Sequence, residues 1–250
     1  MMRRVSEIEY QNYVPWARSN TANRVYPCSI AEGFQSGDLY VNDGADVETV
    51  LFWHYCGFAY ISGTVSERIL REIWSDISHK ERRRMILITD HDTVTRFFRQ
   101  KGAEIGRRVE YEYAGDVDNM HTGIAISKIN GSNIHEITGR IIPSFSWEEA
   151  AFLRNGYGYV AFDHDRCCGV AFSAAVSSEE VDIGVEVYPE YRRRGIAAAL
   201  VRKMCAEIIS HGKRPVWAHA ESNAGSMHTA LKCGFIRKRM NSTVCLKQAE

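Results

Sequence analysis

The stretch Tyr191-Arg192-Arg193-Arg194-Gly195-Ile196-Ala197-Ala198-Ala199-Leu200 constrains this chain more than any other. Just before it, Val181, Ile183, Val185 and Val187 alternate with Asp182, Gly184 and Glu186, the period of a strand. Just after it, Ile196, Leu200, Met204 and Ile208 fall on one stripe of a helix, with Arg202, Lys203 and Glu207 free to face water. This spacing predicts a helix from Gly195 to Ser210, stopped by His211-Gly212 and Pro215. A strand therefore feeds a helix through a turn that carries arginines and a glycine. The first backbone N–H groups of a helix lack intrahelical acceptors, and the helix dipole adds partial positive charge there. Gly195 has no Cβ to hold a ligand away from the backbone. The turn favours a pyrophosphate-bearing ligand.

The elements downstream are equally legible. Val216 to Ala220 reads as a strand, Ser222 or Asn223 caps a helix to Cys233, Gly234 ends it, and Ile236 to Leu246 returns to strand. Upstream, Trp147 to Arg154 reads as a helix capped by Ser146. Tyr157 to Phe162 and Gly169 to Val176 form a hairpin turning at Asp163-His164-Asp165-Arg166. In the first half, the apolar run Leu51 to Ile61 reads as buried strand, Ser66 to Ile77 as helix, Met85 to Thr89 as strand, Val94 to Lys101 as helix and Val109 to Tyr113 as strand. Strand, helix, glycine and strand thus recur: Asp92 leads to Gly102 as Asn223 leads to Gly234. This order suggests a diverged internal repeat whose first copy lacks the phosphate turn. The polar stretch 116–133 reads as a linker between an N-terminal region, 1–115, and a C-terminal domain, 134–250.

A chain of 250 residues, 45% hydrophobic, is long enough for one large or two small cores. Its 31 basic and 31 acidic residues cancel, which argues against a general nucleic-acid binder. The run Lys80-Glu81-Arg82-Arg83-Arg84 reads as a solvated loop or helix end. Seven cysteines without a C-x-x-C pair indicate neither a disulfide framework nor a zinc ribbon. Reduced thiols, an N-terminus without an apolar signal region and no membrane-length apolar segment lead us to expect a cytoplasmic protein.

Arg192-x-x-Gly195-x-Ala197, followed by Asn223 and then Gly234-Phe235, resembles the GNAT acetyltransferase superfamily over roughly Ile134 to Lys247. Trp217 ahead of Asn223-x-x-Ser226-x-x-x-Ala230-x-Lys232-x-Gly234-Phe235 looks like the subgroup containing the zwittermicin A resistance acetyltransferase. The resemblance implies an α/β (α+β) fold: a mixed, mostly antiparallel sheet flanked by helices in 134–250, preceded by an α/β region. That region is either a diverged GNAT-like half or a substrate-recognition domain.

It also implies acetyl-CoA as co-substrate, no metal, and direct transfer to an amine. The pyrophosphate would sit on backbone N–H groups from about Arg193 through Gly195, Ile196 and Ala197 to Ala198. Guanidinium groups of Arg192, Arg193 and Arg194 would assist. The pantetheine arm would run along Val185 and Val187, and the Val187 amide would face the thioester oxygen. Asn223 completes the expected cofactor set. The family's usual tyrosine acid is replaced by Ala230, which leaves water, Ser226 or another side chain for that role.

Glu186 is the candidate base, against a plain charge on the polar strand face. His219, near the end of the next strand, is the candidate proton relay, against an ordinary histidine. Asp163 to Cys168 reads as a polar turn in preference to a metal site, and Asp90-His91-Asp92 as a helix cap. Trp53, His54, Tyr55, Phe58 and Tyr60 read as core or as lining of a cleft. The expected acceptor is a small-molecule amine. A protein or peptide amine, and a non-enzymatic acyl-CoA-binding module, are the alternatives. Neither nucleic acid nor membrane is expected as a partner, and the oligomeric state is left open.

Overall fold

A computed structural model describes residues 1–44, 46–79, 83–115, 123–164 and 166–246. Two units divide the chain, Met1–Val109 with Met240–Glu250, and Glu110–Arg239.

The first unit runs β1 (Met2–Arg4), a 3-10 turn (Glu7–Tyr13), α1 (Val14–Arg18), α2 (Val25–Ala31), β2 (Gly37–Asn42), β3 (Thr49–His54), β4 (Phe58–Gly63), α3 (Glu67–Glu72, continued by a π turn Ile73–Ile77), β5 (Met85–Thr89), α4 (Asp92–Gln100) and β6 (Glu104–Tyr113), whose last residues enter the second unit. β1 to β4 pair antiparallel in sequence order, and β4 pairs parallel with β5. The far edge of β5 takes residues 242–246, antiparallel, Ser242 opposite Thr89 and Leu246 opposite Met85. One core lies under α3 and α4, with Leu51, Trp53, Leu70, Ile73, Val94, Phe98 and Val244 buried together.

The second unit repeats this order: β7 (Ala125–Lys128), 3-10 turns (Ile134–Glu136, Pro143–Phe145), α5 (Glu149–Asn155), β8 (Gly158–Asp163), β9 (Arg166–Val176), β10 (Glu180–Val187), α6 (Ile196–Ser210), β11 (Arg214–Ala220), α7 (Ala224–Lys232) and β12 (Phe235–Leu246), whose end returns to the first unit. β7 to β10 pair antiparallel, and β10 pairs parallel with β11. The repeat expected from one strand–helix–glycine–strand motif thus extends to the strand order and to the directions of the first four pairings in each unit. Both units are mixed α/β with a mostly antiparallel sheet and flanking helices.

Several expectations need correction. Leu51 to Ile61 is a hairpin, β3 and β4, in which the Gly57 N–H bonds the His54 carbonyl at 2.8 Å. Both strands are buried throughout the apolar run, so no polar residue marked the turn. Ser146 does not cap α5, which starts at Glu149 with Glu148 as its cap. The preceding 3-10 turn occupies this stretch, and the Trp147 N–H bonds the Pro143 carbonyl. His91 is the cap residue of α4 and makes no side-chain cap bond, while the Asp90 carboxylate accepts from Thr21 Oγ1 at 3.0 Å.

Lys80, Glu81 and Arg82 of the basic run, and Asp165 of the polar turn, lie outside the described residues. Arg83 is half-buried and Arg84 is exposed, as expected of a solvated run, but both side chains are bonded. Arg83 pairs with buried Asp38 and covers the Trp53 ring at 4.1 Å, and Arg84 Nε donates to the Cys56 carbonyl. Trp53, His54, Phe58 and Tyr60 are buried, and Tyr55 is exposed.

The expected linker 116–133 also differs. Residues 116–122 lie outside the described residues, and Ala125–Lys128 is the strand β7. The expected C-terminal domain, 134–250, gives up its last strand residues to the first unit.

Candidate active site

β10 and β11 run side by side only from Glu180 opposite Arg214 to Asp182 opposite Val216. Beyond Asp182 the two strands are unpaired, while β10 stays paired with β9 through Val187 opposite Gly169. A register shift at Asp182/Ile183 marks where the strands part. The Tyr188 N–H donates to the Cys168 carbonyl on β9 at 3.1 Å. Successive strand residues face opposite edges. Val185 and Val187 therefore turn their backbone groups toward the side that β11 has left. The Val187 carbonyl accepts there from Arg192 Nε at 3.1 Å.

The chain leaves β10 through a 3-10 turn, Pro189–Tyr191, and reaches α6 with two residues in the left-handed region, Arg193 at φ 61° and Gly195 at φ 80°. Gly195 is the N-cap and supplies no capping side chain. The first main-chain bond into the helix is the Ala199 N–H to the Gly195 carbonyl, 3.1 Å. Among the described residues, the N–H groups of Arg193, Arg194, Ile196, Ala197 and Ala198 have no main-chain acceptor. Those of Ile196, Ala197 and Ala198 belong to the first turn of a fifteen-residue helix with no acidic residue there. This end of α6 suits an anion.

The three arginines divide in their roles. Arg192 folds back on Val187. Arg194 Nη1 donates to Asp163 Oδ2 at 3.0 Å and lies over the Tyr191 ring. That hydrogen bond, outweighing partial desolvation, holds the Asp163 carboxyl below its usual range. Arg193 is exposed and has no side-chain partner among the described residues.

The candidate catalytic residues are less free than their sequence positions suggest. Glu186 Oε2 accepts the N–H groups of Arg140 at 2.8 Å and Ile141 at 2.6 Å. One strand period away, the Tyr188 hydroxyl donates to the Thr138 carbonyl at 2.6 Å and lies 3.2 Å from Cys167 Sγ. Burial first, and then the Cys167 contact, raise the Tyr188 pKa. Glu186 and Tyr188 together pin the loop 138–141 through their side chains. Gly139 makes this approach possible, because a Cβ there would come within 2.8 Å of Glu186 Oε2. Sequence reasoning missed this clamp. Its only local signal was a glycine and a tyrosine without the family's motif around them.

His219 is buried, with Nδ1 2.8 Å from the Ala220 carbonyl and Nε2 3.1 Å from the Tyr111 hydroxyl. A carbonyl can only accept, so the proton sits on Nδ1 and Nε2 accepts from Tyr111. Ser226 Oγ accepts from Trp217 Nε1 at 3.0 Å. Asn223 caps α7 by accepting the Ser226 N–H on Oδ1, also at 3.0 Å. Ala230 is fully buried. The structure therefore brings Val185, Val187 and Arg193 to Ala198 together at one open edge and helix start, with Glu186 beside them on β10. Ser226 and Asn223 belong to the cap of α7, and His219 to the buried side of β11.

Among the described residues no group of three His, Cys, Asp or Glu is placed to hold a metal ion. No helix of the described residues is long and apolar enough to cross a membrane.

Comparison with known folds agrees with this geometry. The GCN5-related N-acetyltransferase-like protein from Streptococcus suis 89/1591 superposes with a TM-score of 0.76 at 18% identity, covering 97% of this chain and 100% of that one. A tandem GNAT protein from the clavulanic acid biosynthesis pathway gives 0.66 at 12% identity over 100% and 99% of the two chains. A putative GNAT-family acetyltransferase from Novosphingobium aromaticivorans DSM 12444 gives 0.61 at 17% identity over 98% and 97%. These likenesses establish the fold. No curated relative matches the chain. The family model for GNAT acetyltransferase matches residues 19–243, through both units. The chain belongs to the GNAT acetyltransferase family, whose chemistry is acyl transfer.

Proposed function

We propose that the chain moves an acetyl group from acetyl-CoA to a primary amine of a small molecule, and that the second unit carries the site. The supporting observation is the parting of β10 from β11 beyond Asp182, beside the uncapped start of α6. The unpaired edge at Val185 and Val187 suits an extended amide-bearing arm. The first N–H groups of α6, with Arg193 beside them, suit its pyrophosphate. When bound, acetyl-CoA supplies an activated thioester. The attacking group is the acceptor amine, so the protein needs no nucleophile of its own, only a proton acceptor and an oriented acceptor site.

Glu186 is the carboxylate at this edge. One of its oxygens is spent on the 138–141 loop, and we assign the other to the amine proton. The Trp217 and Asn223 to Phe235 pattern supports placement with the zwittermicin A resistance subgroup, whose acceptor class is a small amine. A cytoplasmic location accords with the reduced thiols.

Calorimetry tests the cofactor: acetyl-CoA binds the wild type, and Gly195→Glu abolishes binding. CoA release with a panel of amines tests the rest. Release with small amines supports the reading, and release with peptides alone replaces the acceptor class. Binding without release from any amine makes the chain a sensing module, the reading that buried Ala230 favours. No binding at millimolar acetyl-CoA ends the proposal.

A further inference from the structure

The first unit has the same gap in its sheet as the second, and fills it with its own chain. β4 pairs with β5 only at Phe58 opposite Ile86 and Ala59 opposite Leu87. From Tyr60 to Gly63, β4 keeps its β3 partner but has none on the β5 side. The Ile86 N–H donates to the Gly57 carbonyl, so residues 57, 59 and 61 face β5 by strand alternation. The Ile61 carbonyl thus faces the gap, as the backbone of Val185 and Val187 does in the second unit.

That carbonyl is already bonded. Asn20 Nδ2 donates to it at 3.0 Å and reaches Ser62 Oγ at 2.9 Å. Asn20 Oδ1 accepts the N–H groups of Ala22 and Asn23, both at 3.1 Å, which locks the segment into a turn. Thr21 Oγ1 donates to Asp90 just past the end of β5, and the Ala22 carbonyl accepts from Asn241 Nδ2 at 2.8 Å. The segment therefore spans from β4, past the end of β5, to the strand beyond it. Asn20 is 7% exposed and Ala22 3%.

The helix after the gap differs in the same sense. Ser66 caps α3 by accepting the Ile69 N–H, and Glu67 places a carboxylate in its first turn. In the second unit the corresponding helix, α6, has neither a capping side chain nor an acid there. The loops that precede these gaps also bond differently. Loop 138–141 is held by the side chains of Glu186 and Tyr188 and makes no bond to the open backbone edge of β10, where the Val187 carbonyl takes only the nearby Arg192 side chain, whereas Asn20 reaches the backbone of β4 itself.

We infer that Asn20 to Asn23 is a built-in occupant of the first unit's gap, so that this unit excludes acyl-CoA and the chain binds a single equivalent, in the second unit. The stoichiometry rests on the function proposed above; the occupied gap does not.

Calorimetry of the full chain with CoA, paired with hydrogen exchange, tests it. One CoA per chain is expected, lost entirely in Gly195→Glu. Bound CoA should add protection within 185–198 and none within 60–66. Two equivalents, binding that survives Gly195→Glu, or new protection at 60–66 overturns the inference. A wild type that binds no CoA ends the function proposal. The exchange of the CoA-free chain still decides the occupied gap. Amides of Ala22 and Asn23 slowed at least about 100-fold support it, and free exchange there overturns it.

Discussion

Tyr111 and His219 lie ring against ring, their centroids 5.2 Å apart, with 3.1 Å between the Tyr111 hydroxyl and His219 Nε2. Tyr111→Phe keeps the stack and removes the only donor in contact with Nε2 among the described residues. A buried acceptor left without a partner costs about 1–3 kcal/mol, so urea denaturation should show a loss in that range. The acetylation rate should stay unchanged. A fall in kcat of about tenfold or more at unaltered stability would make His219 a proton carrier working through Tyr111.

Glu186 is both a loop anchor and the proposed base, and two substitutions separate these roles. Glu186→Gln keeps an oxygen to accept the Arg140 and Ile141 N–H groups but cannot take a proton. Its thermal unfolding should be near wild type, while kcat falls by roughly 100-fold or more and the pH–rate profile flattens. Glu186→Ala releases the loop as well, and KM for the amine should rise with it. A Gln variant with wild-type kcat would leave Glu186 as an anchor only.

Arg193 and Arg194 should behave differently despite being neighbours. Arg193→Ala should weaken CoA binding and reduce its dependence on salt, because its charge is uncommitted. Arg194→Ala should act first on the hairpin turn, where it holds Asp163. The Asp163 pKa is lowered in the folded protein, so its ion pair stabilises above the carboxyl's ordinary pKa of 3.8 and is lost as pH falls through the lower folded value. In Arg194→Ala, NMR titration should show that pKa moving up. An unmoved pKa would assign the shift to another group.

His54 makes native stability depend on pH. Burial first, and Arg83 second, lower its pKa from 6.5 to about 3. Nδ1 accepts the Cys56 N–H, so the neutral ring carries its proton on Nε2, which has no hydrogen-bond partner among the described residues. As pH falls below 6.5, the unfolded chain takes up a proton that the folded chain refuses until about 3. Stability therefore declines with acidification through that window. In His54→Gln the slope of stability against pH should become shallower across it, whatever the absolute stability. An identical slope would place the titration elsewhere.

Elements whose side chains obey one period and end in recognisable punctuation were legible from sequence. β10, α6, β11 and α7 are of this kind, with Gly195, Asn223 and Gly234 marking their ends. β1, α1, α2 and β2 escaped for local reasons. α1 and α2 are short, each contains a proline, and α2 is buried all round, so neither shows an amphipathic stripe. The site divided along the same line. The N–H groups at the start of α6 follow from local sequence. The partners of Glu186 lie 45 and 46 residues away, and those of Asn20 lie 41 and 42 away. No local pattern encodes such pairs, so an apparently free carboxylate and an unremarked asparagine were read without their partners.

Residues 242–246 complete the sheet of the unit that begins at Met1. As a ribosome makes the chain, β5 emerges well before the strand that will cover its far edge. Val244 and Leu246, which belong to the first core, are synthesised only after the second unit. The N-terminal unit therefore cannot finish folding in the order in which it is made. It must wait with an open edge until the second unit has been made.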